Sequence, residues 1–124
     1  MAVPKIEEYS EQLTLTIEQG ATFDITLTWK DENDVLIDLT GYSARMQIRS
    51  TISAAASLHE LTDSNGGIVL GDAAGTIQLL ITAADTAALA FPGKSAVYDL
   101  ELVNGTVVTR LLRGTVLLSK EVTR

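Results

Sequence analysis

His59 is the chain's single histidine. Nucleophilic catalysis built on it would need a hydroxyl on a sharp strand-to-helix turn and an orienting acid, and nothing nearby in sequence offers that turn. Zinc asks for three or four Cys, His or acidic ligands, which one histidine and no cysteine do not supply. Asp31-Glu32-Asn33-Asp34 is oxygen-rich, as calcium loops are, but position 35 is Val and no Gly follows, so it reads first as a solvated turn that ends a strand. Asp99 and Glu101 fall on one face of a strand, as a glycosidase carboxylate pair would, yet no Trp or Tyr cluster beside them offers a sugar platform. They read instead as rungs of a charge ladder, together with the outward-pointing Arg45 and Arg49 of another long strand. The glycines stand at strand ends, and none forms a phosphate-cradling run before a helix. No catalytic, cofactor-binding or metal-ligating set is expected, and the reading is of a non-enzymatic protein whose candidate partner contacts include Arg45 and Arg49.

Those side chains are positioned by strands. Phe23, Ile25, Leu27 and Trp29 alternate with Thr22, Asp24, Thr26, Thr28 and Lys30, and period two puts one set on a buried sheet face and the other in solvent. The same pattern places Ala44, Met46 and Ile48 inward and Arg45, Gln47 and Arg49 outward in a strand over 43–50. Further strands are expected at 13–18, 35–37, 58–62, 68–70, 76–81, 95–103 and 106–118. Asp63-Ser64-Asn65-Gly66-Gly67 reads as a hairpin-type turn, and Asn104-Gly105 as a two-residue hairpin. Residues 51–57 read as a surface loop or a helical turn. Thr82 caps a short helix ended by Pro92-Gly93, with Asp85 three residues into it and Ala83, Ala84, Ala87 and Ala88 favouring it. Gly114 marks a bulge or a close approach. The expected fold is an all-β, immunoglobulin-like antiparallel β-sandwich with one short crossover helix, in which Tyr98 sits where a tyrosine corner would.

Length and charge narrow the function classes. A chain of 124 residues is one domain and buries about two thirds of the surface its unfolded form exposes. A formal net charge of −7, with no two basic residues adjacent, argues against nucleic-acid partners. No run of 18 apolar residues predicts a membrane span, no leader pattern is visible, and the absence of cysteine fits a reducing cytoplasm. Residues 1–12 lack alternation and read as an N-terminal arm, 13–118 as the sandwich, and 119–124 as a C-terminal tail. Val3, Ile6 and Tyr9 give the arm an apolar stripe flanked by Glu7, Glu8 and Glu11, so both terminal segments are expected to order against neighbouring subunits.

The wording of the strands adds a resemblance. Ile17-Glu18-Gln19-Gly20-Ala21-Thr22-Phe23, Leu27-Thr28-Trp29-Lys30-Asp31 and 38–49 (Asp-Leu-Thr-Gly-Tyr-Ser-Ala-Arg-Met-Gln-Ile-Arg) resemble small tailed-bacteriophage virion proteins. The shared order continues through Gly66-Gly67-Ile68, Ala74-Gly75-Thr76-Ile77, Tyr98-Asp99-Leu100-Glu101 and Val107-Val108-Thr109-Arg110-Leu111, so it covers residues 13 to 124. These proteins look like the immunoglobulin-like N-terminal module of phage baseplate upper and fibre-attachment proteins. The resemblance rests on turn and core residues and brings no catalytic residues. It implies a virion structural protein of the tail or baseplate, assembled in the host cytoplasm, docking in several copies on other virion proteins and joining fibres to the tail. A capsid decoration (cement) protein is the alternative within that class, and a carbohydrate-binding sandwich module the alternative outside it.

Overall fold

A computed structural model of the chain describes residues 11–91 and 93–123. Two sheets face each other. The larger holds β1 (Glu11–Gln12), β2 (Leu15–Glu18), β4 (Ser43–Arg49), β5 (His59–Thr62), β8 (Ser95–Asn104) and β9 (Val107–Ser119). The smaller holds β3 (Phe23–Thr28), β6 (Ile68–Leu70) and β7 (Thr76–Ile81). Strand order is β1-β9-β8-β4-β5, with β2 also on β9, against β3-β7-β6. In chain order this is the immunoglobulin arrangement, with β3, β7 and β6 as strands B, E and D facing β9, β8, β4 and β5 as G, F, C and C′. All pairings are antiparallel except those of β1 and β2, which run parallel to β9. The strand set therefore starts two residues before the expected boundary at Leu13 and ends at Ser119.

Alternation decides the core. Ala44, Met46 and Ile48 on β4 and Ala96, Tyr98, Leu100 and Leu102 on β8 are all buried, facing Ile77, Leu79 and Ile81 of β7. β3 ends at Thr28, earlier than the expected run to Lys30, because the Trp29 amide donates to the Gly75 carbonyl and its own carbonyl accepts from Ile37. Trp29 nevertheless stays inside, 5% exposed and edge-on to Tyr42. The expected strand at 35–37 is reduced to one bridge between Lys30 and Leu36. Residues 51–57 form turns and bends, not helix.

Two turns behave differently from their sequence signals. Asp63 to Gly67 does not close a hairpin: β5 lies in the larger sheet and β6 in the smaller, so the segment crosses between them. Asn65 shapes it, accepting from the Thr62 and Gly67 amides while its own side-chain amide donates to the Glu60 carbonyl. The β8–β9 hairpin does close on two residues, with Asn104 opposite Val107 and Gly105 at φ 62° in the first central position, the II′ pattern. Helix α1 (Ala83–Ala87) makes the crossover from the smaller to the larger sheet, its first turn capped by Thr82, whose hydroxyl accepts from the Asp85 amide. The buried Thr86 fastens it to the β2–β3 turn by donating to the Ala21 carbonyl and accepting from the Gly20 amide. Among the described residues no helix is long and apolar enough to cross a membrane.

Tyr98 is on the expected strand but forms no tyrosine corner. Its hydroxyl donates to the Leu13 carbonyl at 2.7 Å, 85 residues upstream, tying the kink between β1 and β2 to the larger sheet. Burial holds the phenol up from its ordinary value of 10.0 to about 12. The protonated form is thus the one the fold favours. That contribution is complete below pH 10, where the unfolded tyrosine is still protonated, and is lost as pH rises towards about 12. Tyr98→Phe is expected to cost about 1 kcal/mol at neutral pH for the lost hydrogen bond. It should also flatten the fall in stability across that alkaline window, which urea unfolding at neutral pH and above pH 10 would read.

Candidate interaction surface

Period two turns alternate side chains of the larger sheet outward, and register lines them into rows. One row runs Thr62, Arg45, Glu101, Arg110; the next runs Glu60, Gln47, Asp99, Arg113 and, at the edge, Gln12. Arg45 Nε donates to Glu101 at 2.8 Å, and Arg110 lies 3.5 Å from Asp99. Gln47 donates to Glu60 at 2.8 Å, while the Arg113 guanidinium forms no hydrogen bond or ion pair among the described residues. Arg49 lies along the sheet, donating to the Ala54 carbonyl at 2.9 Å and to Gln47 Oε1 at 2.7 Å. It braces the 51–57 loop, which carries Ile52, 90% exposed, to the rim of the same shallow concavity.

Four of the chain's five arginines thus share one face with three carboxylates, on a chain of sixteen acids and nine bases. Strict alternation would put Arg110 and Arg113, three residues apart, on opposite faces. A β-bulge brings them together: register shifts between Leu100 and Glu101, opposite Leu112 and Arg110, leaving Leu111 as the extra residue. Both Leu111 and Leu112 are then buried and the strand's phase flips. Sequence reasoning read Gly114 as a bulge or a close approach and placed no bulge at Leu111, and so missed Arg110 and Arg113. The pattern Arg-Leu-Leu-Arg, two apolar neighbours interrupting an alternating strand, was the available signal. Of the two readings of Gly114 the structure shows the close approach, since a Cβ there would collide with the Leu13 carbonyl oxygen.

The other reactive candidates do not converge. His59 is half-buried at the sheet edge opposite Ile48 and makes no side-chain hydrogen bond among the described residues. Asp31 is buried, its Oδ1 accepting from the Asn33 and Val35 amides at 2.8 and 2.9 Å, which holds the turn rather than a cation. Among the described residues no three His or acidic side chains are grouped to hold a metal ion. Phe23, Trp29, Phe91 and Tyr98 are buried and Tyr42 packs half-buried against them, so no described aromatic lies open as a sugar platform. Val3, Ile6 and Tyr9 lie outside the described residues.

What this face can do is recognise. Exposed ion pairs contribute only about 0 to 1 kcal/mol each to folding, whereas guanidinium groups held in rows present planar donors to carboxylates of a partner. Charge reversal at Arg113 is therefore expected to change folding stability by less than about 0.5 kcal/mol, measurable as an unchanged urea midpoint. No protein-family model matches the chain, and no curated protein matches it.

Proposed function

We propose that the chain is a non-enzymatic structural subunit of a tailed-phage virion, in the tail or baseplate, docking in several copies through the outer face of its larger sheet and joining fibres to the tail. The observation that carries the docking surface is the arginine ladder: Arg45, Arg110 and Arg113, on one face of an otherwise acidic chain, are ordered by register and of little use to folding. The immunoglobulin-type sandwich is the fold that the resemblance to baseplate and fibre-attachment modules implies, and it supports the virion half of the reading. Partners of this face present carboxylates: other virion proteins or further copies of the chain. Nucleic acid and membrane play no part, and assembly takes place in the host cytoplasm.

The test is fractionation of purified particles of a phage encoding this chain, with heads and tails separated and the chain quantified in each by mass spectrometry. Several copies per tail are expected, and the Arg110→Glu/Arg113→Glu double variant should fold normally yet be depleted from particles. Recovery in the head fraction would replace the tail assignment with capsid decoration. Absence from both fractions, with binding to a glycan array, would replace the reading altogether.

A further inference from the structure

The smaller sheet is unfinished on one side. β3 pairs only with β7, so its other edge carries no strand among the described residues, and every second residue there offers an unpaired N–H and C=O. The inner face shows the same gap. Ile77, Leu79 and Ile81 of β7 are 0 to 1% exposed, but Ile25 and Leu27, directly opposite on β3 and facing the same way, are only half-buried. Beside them a slot of about 420 Å³ opens between the sheets, lined by Gln12, Leu13, Leu27, Trp29, Leu111 and Leu112. Trp29, 5% exposed, also lines the slot, and its buried indole N–H has no acceptor among the described residues, a donor that native structures nearly always satisfy.

An immunoglobulin sandwich normally covers this edge with its first strand. Here that stretch has gone to the other sheet, as β1 and β2 run along β9. We infer that the slot and the β3 edge accept the segment 1–10 of a second copy of the chain as an added strand. That segment suits the place. Although it has no polar–apolar alternation, the segment in extended form would put Ala2, Pro4 and Ile6 on one face and Val3, Lys5 and Glu7 on the other. Proline is tolerated on an edge strand, and ten residues span about 33 Å against about 20 Å for the six of β3. Added main chain pairs with the open N–H and C=O groups of the β3 edge, and the side chain of Ile6 fills apolar space.

The segment's own molecule is poorly placed to use it. Glu11 and Gln12 pair parallel with Leu112 and Arg113, so β1 points away from the start of β9. Gln12 already shares the slot with Leu27 and Thr28, the C-terminal end of β3. For a segment joined to Glu11 to lie along its own β3 edge, the chain would have to reverse at Glu11. The first nineteen residues contain no glycine to ease that, and Glu11 is held extended. Donation to a neighbour needs no reversal. The inference rests on the multi-copy reading above and names the joint between copies; its test needs no virion, so the two can fail separately.

The native chain has no cysteine, so introduced ones pair unambiguously. Full-length chain carrying Lys5→Cys is mixed under mild oxidation with a mass-labelled full-length chain carrying Asp24→Cys, Thr26→Cys or Thr28→Cys, and with Asp85→Cys as the off-site control. The expected result is a covalent heterodimer at one or more β3 positions and none at Asp85. A dilute chain bearing both Lys5→Cys and Thr26→Cys should stay mostly reduced. Efficient closure within that single chain, or no heterodimer above the Asp85 control, overturns the proposal. In the unsubstituted protein, amide exchange of residues 23–28 should slow as concentration rises; protection independent of concentration would also overturn it.

Discussion

Replacing Trp29 with alanine is expected to cost about 3 to 5 kcal/mol, the range for emptying a large aromatic site in a core. The residue is almost wholly buried, its ring stands edge-on to Tyr42 at 6.1 Å and 84°, and its backbone joins Gly75 to Ile37 where β3 leaves its ladder. Small domains hold about 5 to 15 kcal/mol in total, so such a loss consumes a large part of the fold's margin. Trp29→Phe should lose much less, because it keeps most of the bulk and removes an N–H that has no acceptor among the described residues. Circular dichroism during urea unfolding reads both variants. The native chain has one tryptophan, so its emission should be that of a sheltered indole; a fully exposed spectrum in the folded protein would contradict the core position.

Gly114→Ala is the second large effect. The glycine lies opposite Tyr98, and any Cβ there would strike the carbonyl oxygen of Leu13, a backbone atom that cannot swing away as a side chain would. Overpacking of this kind costs about 1 to 3 kcal/mol. Because the struck oxygen is the one that accepts from the Tyr98 hydroxyl, that hydrogen bond, worth about 1 kcal/mol, goes too. The damage should be local. Amide protection is expected to fall in β1 and β2 and in the half of β9 they pair with, while the β3–β7 ladder keeps its own. Equal loss throughout both sheets would mean that the first two strands are not a separable layer.

These positions show where sequence carries structural information. The strands at 68–70 and 76–81, the inward stripes of β4 and β8, the Thr82 cap and the two-residue loop after Asn104 were legible because each is dictated within a few residues, by period two or by turn and cap chemistry. Tertiary choices were not. Asp63 to Gly67 has hairpin chemistry but serves a crossing between sheets, since what decides its use is which sheet needs the next strand. The parallel docking of β1 and β2 is set by a partner a hundred residues away. Arg45 could be placed outward from its own strand, but Arg110 and Arg113 join it only through the bulge at Leu111, a defect in the periodicity that the reading relied on.

A cryo-electron microscopy map of the intact tailed particle is the most direct measurement of the central claim. The account predicts several copies of the sandwich in the tail or baseplate, with Arg45, Arg110 and Arg113 buried against carboxylates of a neighbouring subunit. Copies in which that face looks into solvent while some other surface makes the contacts, or particles that lack the chain, would contradict it.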